Sequence, residues 1–456
     1  MQWRMLFATM IGYTLFYFMR KNFSFAMPGL QQDCGISKSM LGNFLFWGGI
    51  VYGLSKFLNG IVGDKVAPRK MLCFGLLACT LVNVTFGFAP QIAALLAGDA
   101  QVLLQSDGGV RVMAWTFGIL LVVNQFFQGT GFPPCAKLIA FWIPPKELAT
   151  KMSVWNTSHS IGGGLVAKLC GVIMGLGAIG AANQGVGMWR WCFWSMAILG
   201  ALGLVLMIFW LPGTPKDEGL PDLPGTETSP HSSTPPLPHS STPPLANSSL
   251  RMVFLNPVIW MLGFINFTIN AVRALIADWG PTMLQEAKGF DPSATGTVIM
   301  LFEFAGIAGM LFAGWATDRF FGGKAPRLCV FLMVLTAALF AGFWFLPAGM
   351  LGAAALCVGG FCLYGPQALT GVTATNIATK GFAGTAIGFI SLFSYAGVSV
   401  AGKVCGNLAQ SSGGWELPLI VMVATAAVGA ALFACLWRTR ANAYNACRGE
   451  SKSGQL

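Results

Sequence analysis

Residues 60–70 read GIVGDKVAPRK, and residues 314–327 read GWATDRFFGGKAPR. Each opens on a glycine and reaches an acid and then a base: Gly60-x-x-x-Asp64-Lys65 in the first, Gly314-x-x-x-Asp318-Arg319 in the second. Further cations follow, Arg69 and Lys70 in one and Lys324 and Arg327 in the other. The two aspartates are 254 residues apart (64 to 318) in a chain of 456. A motif that returns at that distance predicts two halves built on one plan.

Both motifs lie between long apolar runs. Runs of about 20 residues, enough to cross the hydrocarbon of a bilayer, fall at 5–28, 40–62, 71–94, 111–141, 151–177, 190–212, 256–284, 294–315, 328–347, 350–376, 382–409 and 415–437. These are taken below as spans one to twelve, and the motifs fall after spans two and eight. The composition agrees with a lipid solvent: 55% of the residues are hydrophobic and 9% are charged, against about 25% charged in a soluble domain. The first run continues past Arg20 without a small-residue cleavage pattern, so it reads as a span and not as a signal peptide. The expected fold is an all-α membrane protein of two pseudo-symmetric six-helix bundles.

Residues 213–250 are rich in Pro, Ser and Thr and hold a tandem octapeptide, HSSTPPLP from His231 and HSSTPPLA from His239. Such a stretch cannot bury a core and reads as a flexible linker. The chain thus divides into a first bundle (1–212), a linker (213–255), a second bundle (256–437) and a tail (438–456). The twelve cysteines are scattered, form no CxxC pair and mostly lie in apolar runs. They read as small buried residues, with no metal site and no cofactor implied.

The net charge of +11 would suggest nucleic acid in a soluble chain. Here it has another source, the excess of Lys and Arg in cytoplasmic loops. With both termini in the cytoplasm, sixteen loop cations fall on that side, and only Lys38, Arg111, Arg190 and Lys288 fall outside.

Seven cations remain in or near the spans: Arg20, Lys21, Lys56, Lys137, Lys168, Arg273 and Lys403. Only Asp278 and Glu303 join them, an excess of five positive charges. Each such charge costs at least about 2.5–3.5 kcal/mol unless paired or hydrated, so some of these cations should line a wet cavity and meet an anion there. Arg20 in span one and Arg273 in span seven are 253 residues apart, within one residue of the repeat offset. The repeat therefore predicts two guanidinium groups facing each other across the central axis, and a guanidinium binds phosphate oxygens in bidentate fashion. Arginines that stabilise helix packing are the alternative.

Tyr13, Tyr17, Arg20 and Ser24 share one helix face, as do Asn266, Asn270 and Arg273. His159 lies about 12 Å along span five from its cytoplasmic end, at 1.5 Å per residue, deep enough to meet a phosphate or to serve packing alone. Lys56 reads as an attractor of anions or as a lysine that snorkels. Lys21, Asp278 and Glu303 read as an ion-pair network, either switching or static.

The paired loops resemble those of the major facilitator superfamily, in which they are thought to latch the halves in one state. That assigns a latch to Asp64, Lys65, Arg69, Asp318 and Arg319. The stretch GYTLFYFMRKNFSFAMPGL (12–30), Ser55-Lys56-Phe57, WNTSHSIGGG (155–164) and Arg273 with Asp278-Trp279-Gly280-Pro281 together resemble the organophosphate:phosphate antiporter family. This family includes glycerol-3-phosphate and hexose-6-phosphate transporters. The resemblance implies that Arg20 and Arg273 bind phosphate and that His159 and Lys56 hold family positions. It also implies that Lys21, Asp278 and Glu303 belong to charge pairs that rearrange with substrate. Where glycerol-3-phosphate transporters carry a tyrosine three residues before the span-seven arginine, this chain has Asn270. Hexose-phosphate members carry a lysine in span eleven, to which Lys403 corresponds unless it merely snorkels at the outer face.

The expected function is exchange of a phosphorylated sugar, glucose-6-phosphate first, for inorganic phosphate, by a monomer in a bacterial inner membrane. The substrate set is Arg20, Arg273, His159, Lys56, Tyr17, Asn270 and Lys403. The other readings are a glycerol-3-phosphate or other organophosphate antiporter, a membrane sensor of hexose phosphate, and a proton-coupled symporter using Asp278 or Glu303. No nucleophile–base pair or metal site points to an enzyme, and the basic charge needs no nucleic acid.

Overall fold

The structure is a computed structural model that describes residues 1–97, 107–179, 187–221, 254–347, 349–377 and 383–438. Within these, the side chains of residues 64, 107, 145, 146, 148–150, 177–179, 375, 376, 383 and 384 are not described. The linker beyond Pro221 with its two histidines, the tail beyond Arg438 and the side chain of Asp64 therefore lie outside the described residues.

The described residues form helices and no strand. In lipid a single chain segment must satisfy its backbone groups internally, and a helix does so. Span one is Gln2–Cys34, span two Lys38–Lys65 and span three Pro68–Gly87; span four combines Asp107–Gln128 and Phe132–Trp142. Span five is Pro145–Ile179 and span six Trp189–Trp210. In the second half, span seven combines Pro257–Asp278 with Gly280–Lys288, and span eight is Pro292–Phe320. Spans nine to twelve are Ala325–Phe345, Met350–Ile377, Ala383–Ser412 and Glu416–Cys435. Eleven of these are long and apolar enough to cross a membrane by length and composition. Span one is not among them, because its Arg20, Lys21 and Asn22 dilute its apolarity; its 33 residues are nevertheless ample in length.

Three spans read as continuous in sequence are broken. Span three stops at Gly87, and a short helix, Ala89–Ala97, follows with Pro90 in its first turn. Span four stops at Gln128 and restarts at Phe132, where Pro133 and Pro134 enter the new first turn. Span seven stops at Asp278 and restarts at Gly280 with Pro281 in its first turn. Proline cannot donate to the preceding turn, so the break falls ahead of it. The start of the expected linker also differs from the reading. Gly213–Pro221 folds as a capped turn, with Thr214 N–H donating to Asp217 at 2.8 Å and Gly213 N–H to Glu218 at 3.0 Å. Trp142 of span four holds it by donating to the Gly213 carbonyl at 2.8 Å.

Spans two and eleven pack together, and spans five and eight do the same. These two seams join the halves. Near the face where span one ends at Cys34, the seams close backbone to backbone. A Cβ at Gly296 would lie 2.4 Å from the Ala167 carbonyl oxygen, and one at Gly406 2.5 Å from that of Lys38. Small residues allow such approach. Lys38 also pairs with Glu286 at 2.8 Å, and Ser39 donates to Asn407 at 2.7 Å. Toward the opposite face, where Met1 lies, Gly60 and Gly388 on spans two and eleven have open space beside them. The molecule is sealed at its Cys34 face and parted toward its Met1 face.

The loop motifs stay within their own halves. Arg69 donates to the Ile208 carbonyl at the end of span six, and Arg327 donates to the Trp437 carbonyl after span twelve at 3.2 Å. Lys65, Asp318 and Arg319 are exposed. Among the described residues no ion pair carries them across to the other bundle; the Asp64 side chain of the expected latch lies outside the described residues.

Candidate functional site

A central cavity of about 280 Å³ lies between the halves, and Arg20, Arg273, His159, Lys56, Tyr17 and Asn270 all line it. A second hollow of about 710 Å³ shares Lys56, Phe132, Ser391 and Tyr395 with it and extends to Gly60 and Thr385 on the Met1 side.

Arg20 is positioned by the rigidity of span one. The Phe16 carbonyl accepts from Gln128 at 2.9 Å, and the Met19 carbonyl accepts from Asn124 at 2.8 Å and Asn83 at 3.3 Å. Asn22 turns outward from the cavity and donates to Asn83 at 2.7 Å. With its back face tied, span one presents Arg20 inward, 3.8 Å from the centre of the Tyr52 ring and 5.5 Å from that of Tyr17. Such contacts are attractive but leave the guanidinium fork unspent. Among the described residues no carboxylate lies within ion-pair distance of Arg20.

Lys56 is placed by the break in span four. A Cβ at Gly129 would lie 2.8 Å from the Lys56 backbone nitrogen, so only glycine lets span two approach there. Ser55 then donates to the Phe126 carbonyl, which also accepts from Gly129 N–H at 3.2 Å in the last turn before the break. Lys56 extends 4.2 Å over Phe132 and donates to the Tyr395 hydroxyl of the other half at 2.7 Å.

The Gly162-Gly163-Gly164 run packs span five between its neighbours. A Cβ at Gly162 would meet Tyr17 at 2.7 Å, and one at Gly163 would lie 3.3 Å from the Glu303 carboxyl carbon. His159, one turn earlier, contacts the Asn156 carbonyl through Nδ1 and lies 5.9 Å from the Tyr17 ring, centre to centre.

The expected network of Lys21, Asp278 and Glu303 is resolved into two separate pairs. Lys21 pairs with Asp278 across the halves. Glu303, packed against Gly163 of span five, pairs instead with Arg273, at 3.1 and 3.3 Å. Arg273 also stands 4.6 Å from the Tyr364 ring centre. The two arginines thus share one cavity but differ in partner.

Lys403 is absent from the cavity lining. It sits at the sealed seam, its ammonium 5.2 Å from the Phe46 ring centre and its backbone against Gly42. Its position eight residues beyond Tyr395 puts it about 12 Å nearer the Cys34 face at 1.5 Å per residue. Ser24 likewise lines a small void of about 30 Å³ just beyond Arg20, not the main cavity. Lys137 donates to the Gly63 carbonyl at 2.7 Å, away from the cavity.

Sequence reasoning missed Tyr52, Tyr395 and the amides Gln367, Asn83, Asn124 and Gln128. The tyrosines carried a signal. The chain has six tyrosines against 36 phenylalanines; four of the six line the cavity and Tyr364 faces Arg273. Where phenylalanine is the default aromatic, each hydroxyl marks water or a polar partner.

The charge count is then simple. Arg20, Lys21, Lys56 and Arg273 line the cavity; Asp278 and Glu303 pair with two of them. Four minus two leaves two positive charges without a carboxylate. The arrangement can receive a small dianion from the Met1 side and offers it hydroxyl and amide donors around the cations.

Two six-helix bundles around a central polar cavity have the architecture of a membrane transporter. The sequence profile of the Major Facilitator Superfamily matches residues 9–402, and the chain belongs to that superfamily. It is 32% identical over 436 residues to a glycerol-3-phosphate transporter of Bacillus subtilis, covering 94% of this chain and 90% of that protein. It is also 32% identical over 449 residues to a probable hexose phosphate transport protein of Chlamydia trachomatis, covering 95% and 91%. A membrane sensor protein, UhpC of Escherichia coli, is 33% identical over 398 residues, covering 86% and 82%. Among solved structures, a bacterial homologue of the human lysosomal transporter Spinster superposes with a TM-score of 0.71, covering 96% of this chain and 97% of its own at 15% identity. The chain is a multi-pass membrane protein.

Proposed function

We propose that the protein exchanges a phosphorylated sugar, glucose-6-phosphate first among them, for inorganic phosphate by alternating access. It does so as a monomer in a bacterial inner membrane, with both termini in the cytoplasm. The observation that carries this reading is the pair of cavity cations without carboxylates, Arg20 and Lys56, beside Arg273. A phosphate monoester carries about −1.5 to −2 charges at neutral pH, which matches a surplus of two. Inorganic phosphate matches it equally well, which supports exchange between the two. Relatives named for hexose phosphate and glycerol-3-phosphate support an organic phosphate. Asn270 and Gln367 on the cavity wall suit a cargo rich in hydroxyls. The excess of loop cations on the side of the termini supports the orientation, which makes the Met1 face cytoplasmic and the Cys34 face outer.

The test is uptake by purified protein in vesicles loaded with phosphate. Labelled glucose-6-phosphate should accumulate, and vesicles lacking internal phosphate should take up little. Accumulation that follows a proton gradient and ignores internal phosphate would replace exchange with symport. The likeness to the UhpC sensor favours one second reading, a receptor for hexose phosphate, which predicts tight binding with negligible uptake.

A further inference from the structure

We propose that Lys168 and Lys403 form a paired capture site for the anionic cargo at the outer mouth, exposed when the Cys34 face opens and stored in the seams when it closes. The proposal rests on the transport reading and orientation above.

The two lysines are structural copies. Lys168 stands three residues before Gly171 in span five, and Lys403 three residues before Gly406 in span eleven. Both intervals between the spans are 235 residues (168 to 403, 171 to 406). Their glycines meet matched partners. A Cβ at Gly171 would lie 2.8 Å from the Cα of Gly296, and one at Gly406 3.1 Å from the Cα of Gly42. Gly42 and Gly296 are 254 residues apart, the offset of the two loop aspartates. One seam therefore repeats the other, lysine included.

Each lysine reaches across its seam to the opposite half. The Lys168 ammonium donates to Thr297 of span eight at 2.8 Å, and that of Lys403 lies 5.2 Å from the ring centre of Phe46 on span two. Among the described residues neither has a carboxylate partner. A cation within a span is costly and tends to mark an ion path. Both residues are half-buried, and their ammonium groups turn to partners on the neighbouring span, Thr297 and Phe46.

Their depth is also matched. Lys168 is nine residues beyond His159 and Lys403 eight beyond Tyr395, which places each about 12–14 Å outward of that wall residue along its helix. Opening the Cys34 face must part these contacts, since that is where the backbones touch. The ammonium groups then flank the mouth from two sides, where fixed cations raise the local concentration of anions. Closure returns them to the seams, so they act on arrival from outside and not from the Met1 side.

The test uses the full chain in vesicles of defined orientation and measures exchange of labelled inorganic phosphate from each face. The variants are K168Q, K403Q and both together. The double variant should raise KM at the Cys34 face about five- to tenfold at low salt, shift KM at the Met1 face less than about twofold, and leave the maximum rate unchanged. It should also flatten the salt dependence of KM at the Cys34 face. Lys168→Arg and Lys403→Arg, which keep the charge, should behave as the wild type. The proposal is overturned if KM at the Cys34 face stays constant or if both faces shift equally. A fall in that KM overturns it too, because lysines that only clasp the seam would, once removed, favour the open state. Wild type that exchanges nothing would sink the transport reading itself and this site with it.

Discussion

Glu303 holds the guanidinium of Arg273 at 3.1 Å. Arg20, its counterpart in the first half, has no such partner among the described residues and rests against the Tyr52 ring. The two arginines of the repeat are therefore unequal in the state open toward Met1. Arg20 is ready for an anion, whereas Arg273 must first exchange or share its carboxylate. On the proposed function that inequality sets an order of events: an anion meets Arg20 and Lys56, then competes with Glu303 for Arg273.

Replacing Arg20 by lysine should weaken phosphate binding about 10- to 100-fold, the worth of one or two charge-assisted hydrogen bonds. The charge remains but the fork is lost. Competition against labelled phosphate would measure it. Unchanged affinity would mean that Arg20 acts as a point charge or not at all.

Glu303→Gln should lower the melting temperature of the unliganded protein, because it leaves Arg273 buried without its pair; breaking such pairs costs about 3–5 kcal/mol. The same variant should show a larger stabilisation by phosphate than wild type, since the ligand no longer competes with a carboxylate. Thermal unfolding with and without phosphate reads both effects. A smaller ligand-induced shift would contradict the competition.

Lys21 and Asp278 pair across the halves, and this contact should change as the halves rock. Lys21→Ala or Asp278→Ala alone should reduce exchange severely, each leaving one charge unpaired. The swap of Lys21→Asp with Asp278→Lys should recover a measurable part of the rate. No recovery, with both proteins folded, would argue that one of these residues touches the cargo directly.

The surplus of two charges predicts a preference for the dianion. The second ionisation of a phosphate monoester lies near pH 6, so the dianion is lost as pH falls through that value. KM for a sugar phosphate should rise about fourfold between pH 7.5 and 5.5 on this ground. A phosphonate analogue with a higher second pKa should show the rise at correspondingly higher pH. Identical profiles for the two ligands would place the titration on the protein instead.

Gly296→Ala should push the seam between spans five and eight apart, since its Cβ would lie 2.4 Å from the Ala167 carbonyl. Spin-label distances across the Cys34 face should lengthen, and the Met1 side should close. Unaltered distances would show that the seam absorbs a methyl group.

Much of the fold was legible because lipid imposes one requirement, an apolar helix of fixed length, and the loop motifs repeat it in halves. The breaks in spans four and seven were less so. Gly129-Thr130-Gly131 and Gly280-Pro281 do signal them, yet apolarity continues through both and hides the interruption. Within the site, Arg20 and Arg273 were legible through the repeat offset. For Lys403 the sequence left two readings open, a substrate lysine or one near the outer face; it does not line the cavity, and the seam that holds it depends on glycines of a different helix. The pairing of Glu303 with Arg273 could not be read either: Lys21 and Arg273 were both available cations, and only packing through Gly163 decides between them. Tyr52, Tyr395 and the amides behind span one escaped because their roles depend on which helix faces meet.

On the proposed function two cavity cations, Arg20 and Lys56, await a phosphate dianion. Equilibrium binding of labelled inorganic phosphate to purified protein, wild type beside Arg20→Lys with Lys56→Gln, tests it most directly. Wild type should bind saturably with one site per chain, and the double variant should lose that binding by at least about 100-fold in Kd. Equal binding by the two proteins, or none by wild type, would contradict it.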